Sequence, residues 1–126
     1  MSRTVLVVDD SMLIRHTVCR YLESIGYAVE AATNGQEALD LLQKGDYLPD
    51  LIVTDMLMPK VTGSELITAL KERPATREIP IVILAGKTTS SDGPQETRAD
   101  YIIYKDIDIE EQLKKALDAS LSGASR

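Results

Sequence analysis

The chain has 126 residues, 44% hydrophobic and 27% charged, a length and balance that fit one globular domain with a sizeable core and exclude disordered and membrane classes. Fourteen Lys and Arg stand against 20 Asp and Glu, a formal net charge of -6, which excludes a non-specific grip on nucleic-acid phosphates; DNA contact would need another domain or partner. The single cysteine, Cys19, excludes an intrachain disulfide, and no His/Cys cluster suggests zinc.

No apolar run approaches the ~20 residues of a membrane span, and Met1-Ser-Arg-Thr leads directly into a strand-like run without a signal peptide's apolar stretch. The expected compartment is the cytoplasm. Thr4-Val-Leu-Val-Val8 is a β-branched run that reads as a strand and ends in acid, at Asp9-Asp10. Ser11 then caps a helix whose inward stripe is Ile14, Val18, Leu22 and Ile25, with Gly26 as the residue that ends it. His16 lies in this helix without a second histidine to share a metal, so it is not a site. Cys19 reads as a small buried hydrophobe.

Tyr27 to Ala32 reads as a second strand, less apolar and so nearer the sheet edge. Asn34-Gly35 turns into a helix from Gln36 to Lys44 with Ala38, Leu41 and Leu42 inward, closed by Gly45. Leu51-Ile-Val-Thr-Asp55 is the central strand: an apolar run bounded by Pro49-Asp50 and Pro59 that fits burial on both faces and delivers one carboxylate to its end. Asp at a strand end also serves as a plain turn cap, so Asp55 gains meaning only from its neighbours.

After a loop from Pro59 to Gly63, Ser64 to Glu72 forms a helix packing through Leu66, Ile67 and Leu70, and Pro74 ends it. Ile79 to Leu84 is the fourth strand, with Pro80 near its start where the missing N–H is tolerated. Residues 87 to 98 hold no large apolar side chain and carry Gly93-Pro94, which predicts a short or irregular helix and otherwise loop. Tyr101 to Tyr104 is the fifth strand, ending in Lys105. Asp108 and Glu111 form a capping pair for a last helix with Leu113, Ala116, Leu117 and Leu121 inward, and 122 to 126 read as a frayed tail or the start of a linker.

Five strands alternating with helices predict an α/β fold: a doubly wound five-stranded parallel sheet, flavodoxin-like in order 2-1-3-4-5, with right-handed crossovers. In that order the first and third strands are neighbours, so Asp9, Asp10 and Asp55 converge where the winding reverses. Three close carboxylates repel, and a proton or a cation must relieve them. Oxygen-only ligands at a strand end suit Mg²⁺ shared with a phosphate, and Lys105 adds a fixed positive charge beside it. Metal, acid nucleophile and cation together describe phosphoryl transfer to Asp55.

On these residues the chain resembles a receiver domain of a two-component response regulator, of the chemotaxis-receiver kind, from Val5 to about Leu121. The resemblance rests on Asp9-Asp10, on Asp55-x-x-Met58-Pro59-x-x-x-Gly63, on Pro74-Ala-Thr-Arg-Glu-Ile-Pro80, and on Lys105. It implies one receiver domain over 1–126, not an enzyme beyond its own phosphorylation and dephosphorylation. Asp55 would accept a phosphoryl group from a phosphohistidine on a sensor histidine kinase or histidine phosphotransfer protein. It further implies Mg²⁺ held directly by Asp10 and Asp55, by Asp9 directly or through water, and by the backbone carbonyl of Leu57, with Lys105 on the phosphoryl group. The output would be a downstream protein target or output domain, without direct contact to nucleic acid or membrane.

The chain departs from the family pattern in its relay. The family's Thr or Ser at the end of the fourth strand is Ala85, followed by Gly86, and a methyl group donates no hydrogen bond. The family's Tyr or Phe three residues before the lysine is Ile102. The proline after the lysine, usually cis, is Asp106, where a cis bond would cost roughly 2.5–4 kcal/mol; trans, with a shift of Lys105, is expected. Three explanations stay open: Thr88 or Thr89 supplies the lost hydroxyl, phosphorylation orders residues 87 to 98, or the chain is a phosphorylation-independent interaction module that keeps the acid pocket. Two further readings are weaker: an aspartyl phosphatase would need an acid where Leu57 stands, and a flavin domain would place its phosphate against acids.

Overall fold

The structure is a computed structural model that describes residues 3–43, 48–55, 62–85, 99–105 and 108–121. Five strands form one sheet in the order β2-β1-β3-β4-β5, every neighbouring pair parallel. They are β1 (Thr4–Val8), β2 (Ala28–Ala32), β3 (Leu51–Asp55), β4 (Ile81–Ala85) and β5 (Tyr101–Tyr104), with helices α1 (Met12–Ser24), α2 (Gly35–Gln43), α3 (Gly63–Lys71) and α4 (Ile109–Leu121) among the described residues. The order is the one predicted.

Strand alternation sorts the core into two layers. Odd-numbered Val5, Val7, Leu51, Val53 and Ile103 pack with even-numbered Val82 and Leu84 against Val18 and Leu22 of α1 and Leu113, Ala116 and Leu117 of α4. The residues between them, Leu6, Val8, Ile52, Ile81 and Ile83, pack against Ala38 and Leu42 of α2 and Leu66, Ile67 and Leu70 of α3. A central strand covered on both faces needs apolar side chains in both parities, which is why β1, β3 and β4 read as continuous apolar runs. Each fully buried Leu, Ile or Val contributes about 1.5–3 kcal/mol relative to exposure. β2, on the edge, buries only Ala32 fully.

The sheet's N-terminal end is pinned by two aspartates placed just before strands. Asp50 Oδ2 accepts from Thr4 N–H and Asp100 Oδ2 from Ile81 N–H, both at 2.8 Å. Helix starts are capped as expected at Ser11, whose Oγ accepts from Ile14 N–H at 3.3 Å, and at Asp108, whose Oδ1 accepts from Glu111 N–H at 3.2 Å. At α3 the cap is Thr62, in a reciprocal box with Glu65.

Several expectations shift in detail. Ile25 is not on the inward stripe: it is the C-cap of α1 and 45% exposed, because Gly26 at φ 103 turns the chain away one residue later. Tyr27 precedes β2, α2 begins at buried Gly35, α3 runs one residue earlier at each end, and β4 runs from Ile81 to Ala85, with Pro80 just outside the strand, where no ladder N–H is required. Leu41 and Cys19 are half-buried, and burial followed by the charge of Glu23 pushes the Cys19 thiol up despite Arg15, which disfavours its thiolate form. Gly45, Leu57, Met58, Pro59, Gly86, Thr88, Thr89, Asp106 and the segment 87 to 98 expected to hold an irregular helix lie outside the described residues.

Candidate functional site

The site forms at the C-terminal edge of the sheet, where β1, β3 and β5 end. Asp9 follows β1 directly, Asp55 is the last residue of β3, and Lys105 follows β5. Alternation carries all three to the same side: Asp9 continues the row of Val5 and Val7, Asp55 that of Leu51 and Val53, and Lys105 that of Ile103. The consequence is a convergence of charge.

Asp9, Asp10 and Asp55 each offer a carboxylate oxygen within 4.8 Å of the others. Asp9 is fully buried, Asp55 is 7% exposed and Asp10 faces solvent. Lys105 Nζ spans the buried pair, 3.0 Å from Asp9 Oδ2 and 3.2 Å from Asp55 Oδ2. Burial alone would lower the Lys105 pKa; the hydrogen bond and charge of Asp9, then the charge and hydrogen bond of Asp55, outweigh it and hold the ammonium above the usual lysine range. The Lys105 side chain reaches both acids.

The backbone around Asp9 is locked. Asp9 N–H donates to Ala32 O at 3.1 Å, Arg15 Nη1 donates to Asp9 O at 2.9 Å, and Asp9 Oδ1 accepts from Ser11 N–H at 2.8 Å. Among the described residues, Asp9 Oδ2, by contrast, meets the Lys105 ammonium 3.0 Å away and no other donor. A buried carboxylate oxygen with a single cation on one side, beside two further carboxylates, fits a hard divalent ion bound through oxygen. Leu57, expected to add its carbonyl, lies outside the described residues.

Ala85 ends β4 at 4% exposure, and its carbonyl accepts Lys105 N–H at 2.9 Å. Ile102 is half-buried on the opposite face, packed with the α2 and α3 layer. Neither side chain offers a donor to the acids. Two features that the sequence pattern did not single out flank the site: Met12 and Leu13, 71% and 74% exposed at the start of α1, and Gln112 in the first turn of α4. The only sequence signal for the first is that both residues fall off the inward stripe of α1. His16 is exposed and does not join the group of Asp9, Asp10 and Asp55.

Among known proteins the chain matches the response regulator receiver domain family over residues 5–118. It is 37% identical over 117 residues to a gliding motility regulatory protein of Myxococcus xanthus, covering 90% of this chain and 15% of that protein. It is 34% identical over 113 residues to the response regulator MprA of Mycolicibacterium vanbaalenii, covering 88% and 47%. The chain thus spans under half the length of these two relatives. The chemotaxis response regulator CheY4 of Vibrio cholerae superposes with a TM-score of 0.83 at 32% identity, over 96% of this chain and all of that one. With the 2-1-3-4-5 sheet, the acid trio and the lysine in place, the chain belongs to the response regulator receiver domains of two-component systems.

Proposed function

We propose that the chain is a single receiver domain that accepts a phosphoryl group on Asp55 from a phosphohistidine of a sensor histidine kinase or phosphotransfer protein and signals through protein contacts in the cytoplasm. The carrying observation is Lys105 Nζ at 3.0 and 3.2 Å from Asp9 and Asp55 beside the exposed Asp10. In the transfer, a carboxylate oxygen of Asp55 bonds to phosphorus as the phosphorus–nitrogen bond breaks, and the imidazole leaves with the electron pair. Lys105 stays beside Asp55 and faces the oxygens of the incoming group, where its charge offsets theirs. Asp9, held by Ser11 and Arg15, fixes Lys105 from the other side.

Asp9, Asp10 and Asp55, with the Leu57 carbonyl, would hold Mg²⁺. When bound, the ion supplies charge neutralisation for the carboxylates and for a phosphoryl oxygen. Met12 and Leu13, adjacent in the chain and both exposed, would offer the donor protein an apolar foothold next to the acids. The domain makes no direct contact with nucleic acid or membrane in this reading; among the described residues no helix is long and apolar enough to cross a membrane.

The test is incubation with Mg²⁺ and acetyl phosphate, followed by intact mass, beside Asp55→Ala. A phosphate adduct absent from the variant is the expected result. No adduct from acetyl phosphate or from a phosphorylated histidine donor would refute the proposal. A second reading, a module that binds its partner irrespective of phosphorylation, is favoured by Ala85, a buried methyl at the end of β4 where a hydroxyl relay would need a donor. Equal partner affinity for wild type and Asp55→Ala, with and without phosphodonor, would select it.

A further inference from the structure

β5 is an edge strand, so its residues alternately turn their backbone groups toward β4 and toward the open side. Lys105 N–H donates to Ala85 O at 2.9 Å, which places the N–H and C=O of Tyr104 on the open side. Gln112 of α4 takes both. Tyr104 N–H donates to Gln112 Oε1 at 2.9 Å, and Gln112 Nε2 donates to Tyr104 O at 2.7 Å. The same Nε2 lies 3.3 Å from Asp108 O, tying the start of α4 to the end of β5.

The peptide linking Tyr104 to Lys105 is therefore gripped from two directions, its N–H by Ala85 O and its C=O by Gln112. A carboxamide offers a donor and an acceptor side by side, matched to the N–H and C=O of one residue: a carboxylate accepts without donating, and an aliphatic side chain does neither. The grip falls on the peptide that leads into Lys105, one of the two that set the direction in which its side chain leaves the backbone toward Asp9 and Asp55. A long side chain with four rotatable bonds reaches two acids at once only from a fixed base.

We infer that Gln112 is a positioning residue for Lys105: its side-chain amide replaces the missing strand neighbour of β5 and holds the peptide from which Lys105 spans Asp9 and Asp55. The bearing of this clamp on phosphoryl transfer rests on the phosphoacceptor reading above; the clamp itself does not.

The experiment is a double-mutant cycle in the full chain with Gln112→Leu, Gln112→Glu and Lys105→Ala, reading Mg²⁺ affinity by calorimetry and phosphoryl uptake from acetyl phosphate. The Lys105 ammonium competes with added Mg²⁺ for Asp9 and Asp55, so Lys105→Ala tightens Mg²⁺ binding. Gln112→Leu gives part of that gain, roughly threefold, and none in the Lys105→Ala background. Uptake slows in Gln112→Leu and slows no further when Lys105 is already absent.

Gln112→Glu keeps the shape and the acceptor but turns a carboxylate on Tyr104 O, and it moves both readouts the same way, so a poorly folded Leu variant does not decide the matter. The Lys105 ammonium resonance in ¹⁵N NMR, identified by its loss in Lys105→Ala, broadens in both Gln112 variants. Unchanged Mg²⁺ affinity and an unchanged ammonium signal in folded variants overturn the inference, as do equal effects with and without Lys105. A Mg²⁺ cycle as expected, with no uptake by the wild type, supports the clamp and refutes the phosphoacceptor reading.

Discussion

Asp10→Asn separates the stability of the acid pocket from its proposed use. Asp10 is exposed while Asp9 and Asp55 are buried, and the three carboxylates lie within 4.8 Å of one another. At 4.8 Å one carboxylate pair repels by about 0.9 kcal/mol at the dielectric of water and by about 3.5 kcal/mol at an effective value near 20. Asp10 faces two such charges and one compensating ammonium, so about one pair remains uncancelled. Its exposure selects the lower end, about 1 kcal/mol. Asp10→Asn is therefore expected to stabilise the fold by about 1 kcal/mol in EDTA, a rise in Tm of about 4 °C, shrinking as salt screens the exposed partner.

Saturating Mg²⁺ reverses the ranking. An ion at a hundred times its Kd stabilises the folded state by about 2.7 kcal/mol, and Asp10→Asn forfeits much of that gain with one of the proposed ligands. Urea unfolding followed by circular dichroism, in EDTA and in Mg²⁺, reads both. A variant less stable than wild type in EDTA would refute the electrostatic reasoning. An undiminished Mg²⁺ gain would refute the assignment of Asp10 as a ligand.

The remaining predictions concern other parts of the chain. Lys105 is held above the usual lysine range, so its contribution is complete below its ordinary pKa of about 10.4 and is lost as pH rises through the raised folded value. The stability difference between wild type and Lys105→Ala in EDTA should stay level from neutral pH to about pH 10 and close only above it; closure by pH 8 in urea titrations would contradict the ion pairs. Thr62→Ala breaks the reciprocal cap with Glu65 and should cost about 1 kcal/mol, read as a lowered urea midpoint at unchanged slope. Replacing Met12 and Leu13 together by Ser should leave stability within about 0.5 kcal/mol and uptake from acetyl phosphate unchanged, yet slow uptake from a phosphorylated histidine protein. Equal slowing with both donors would remove the docking role.

How far the sequence reaches is visible in single elements. β3 is bounded to the residue by its composition: Leu51 to Thr54 are apolar or β-branched and Pro49 and Pro59 flank them, and all five residues are buried. β4 is misplaced by two residues at its start, because Ile79 is buried yet lies in the turns before the ladder; burial and pairing coincide in the middle of a strand and separate at its ends. Ile25 is misread for the same kind of reason, since helical spacing extends a stripe past the residue where Gly26 turns the backbone.

Sequence alone determined the alternation of strands and helices and the placement of Asp9, Asp10, Asp55 and Lys105 at strand ends, since each follows from local pattern. Only the tertiary structure decided how those charges meet. That Lys105 spans Asp9 and Asp55, that Asp9 is buried while Asp10 is exposed, and that Gln112 grips the peptide before Lys105 depend on sheet order, register and the docking of α4 on β5. Those contacts join residues far apart in the chain or set by side-chain reach, and a linear pattern carries neither distance nor direction.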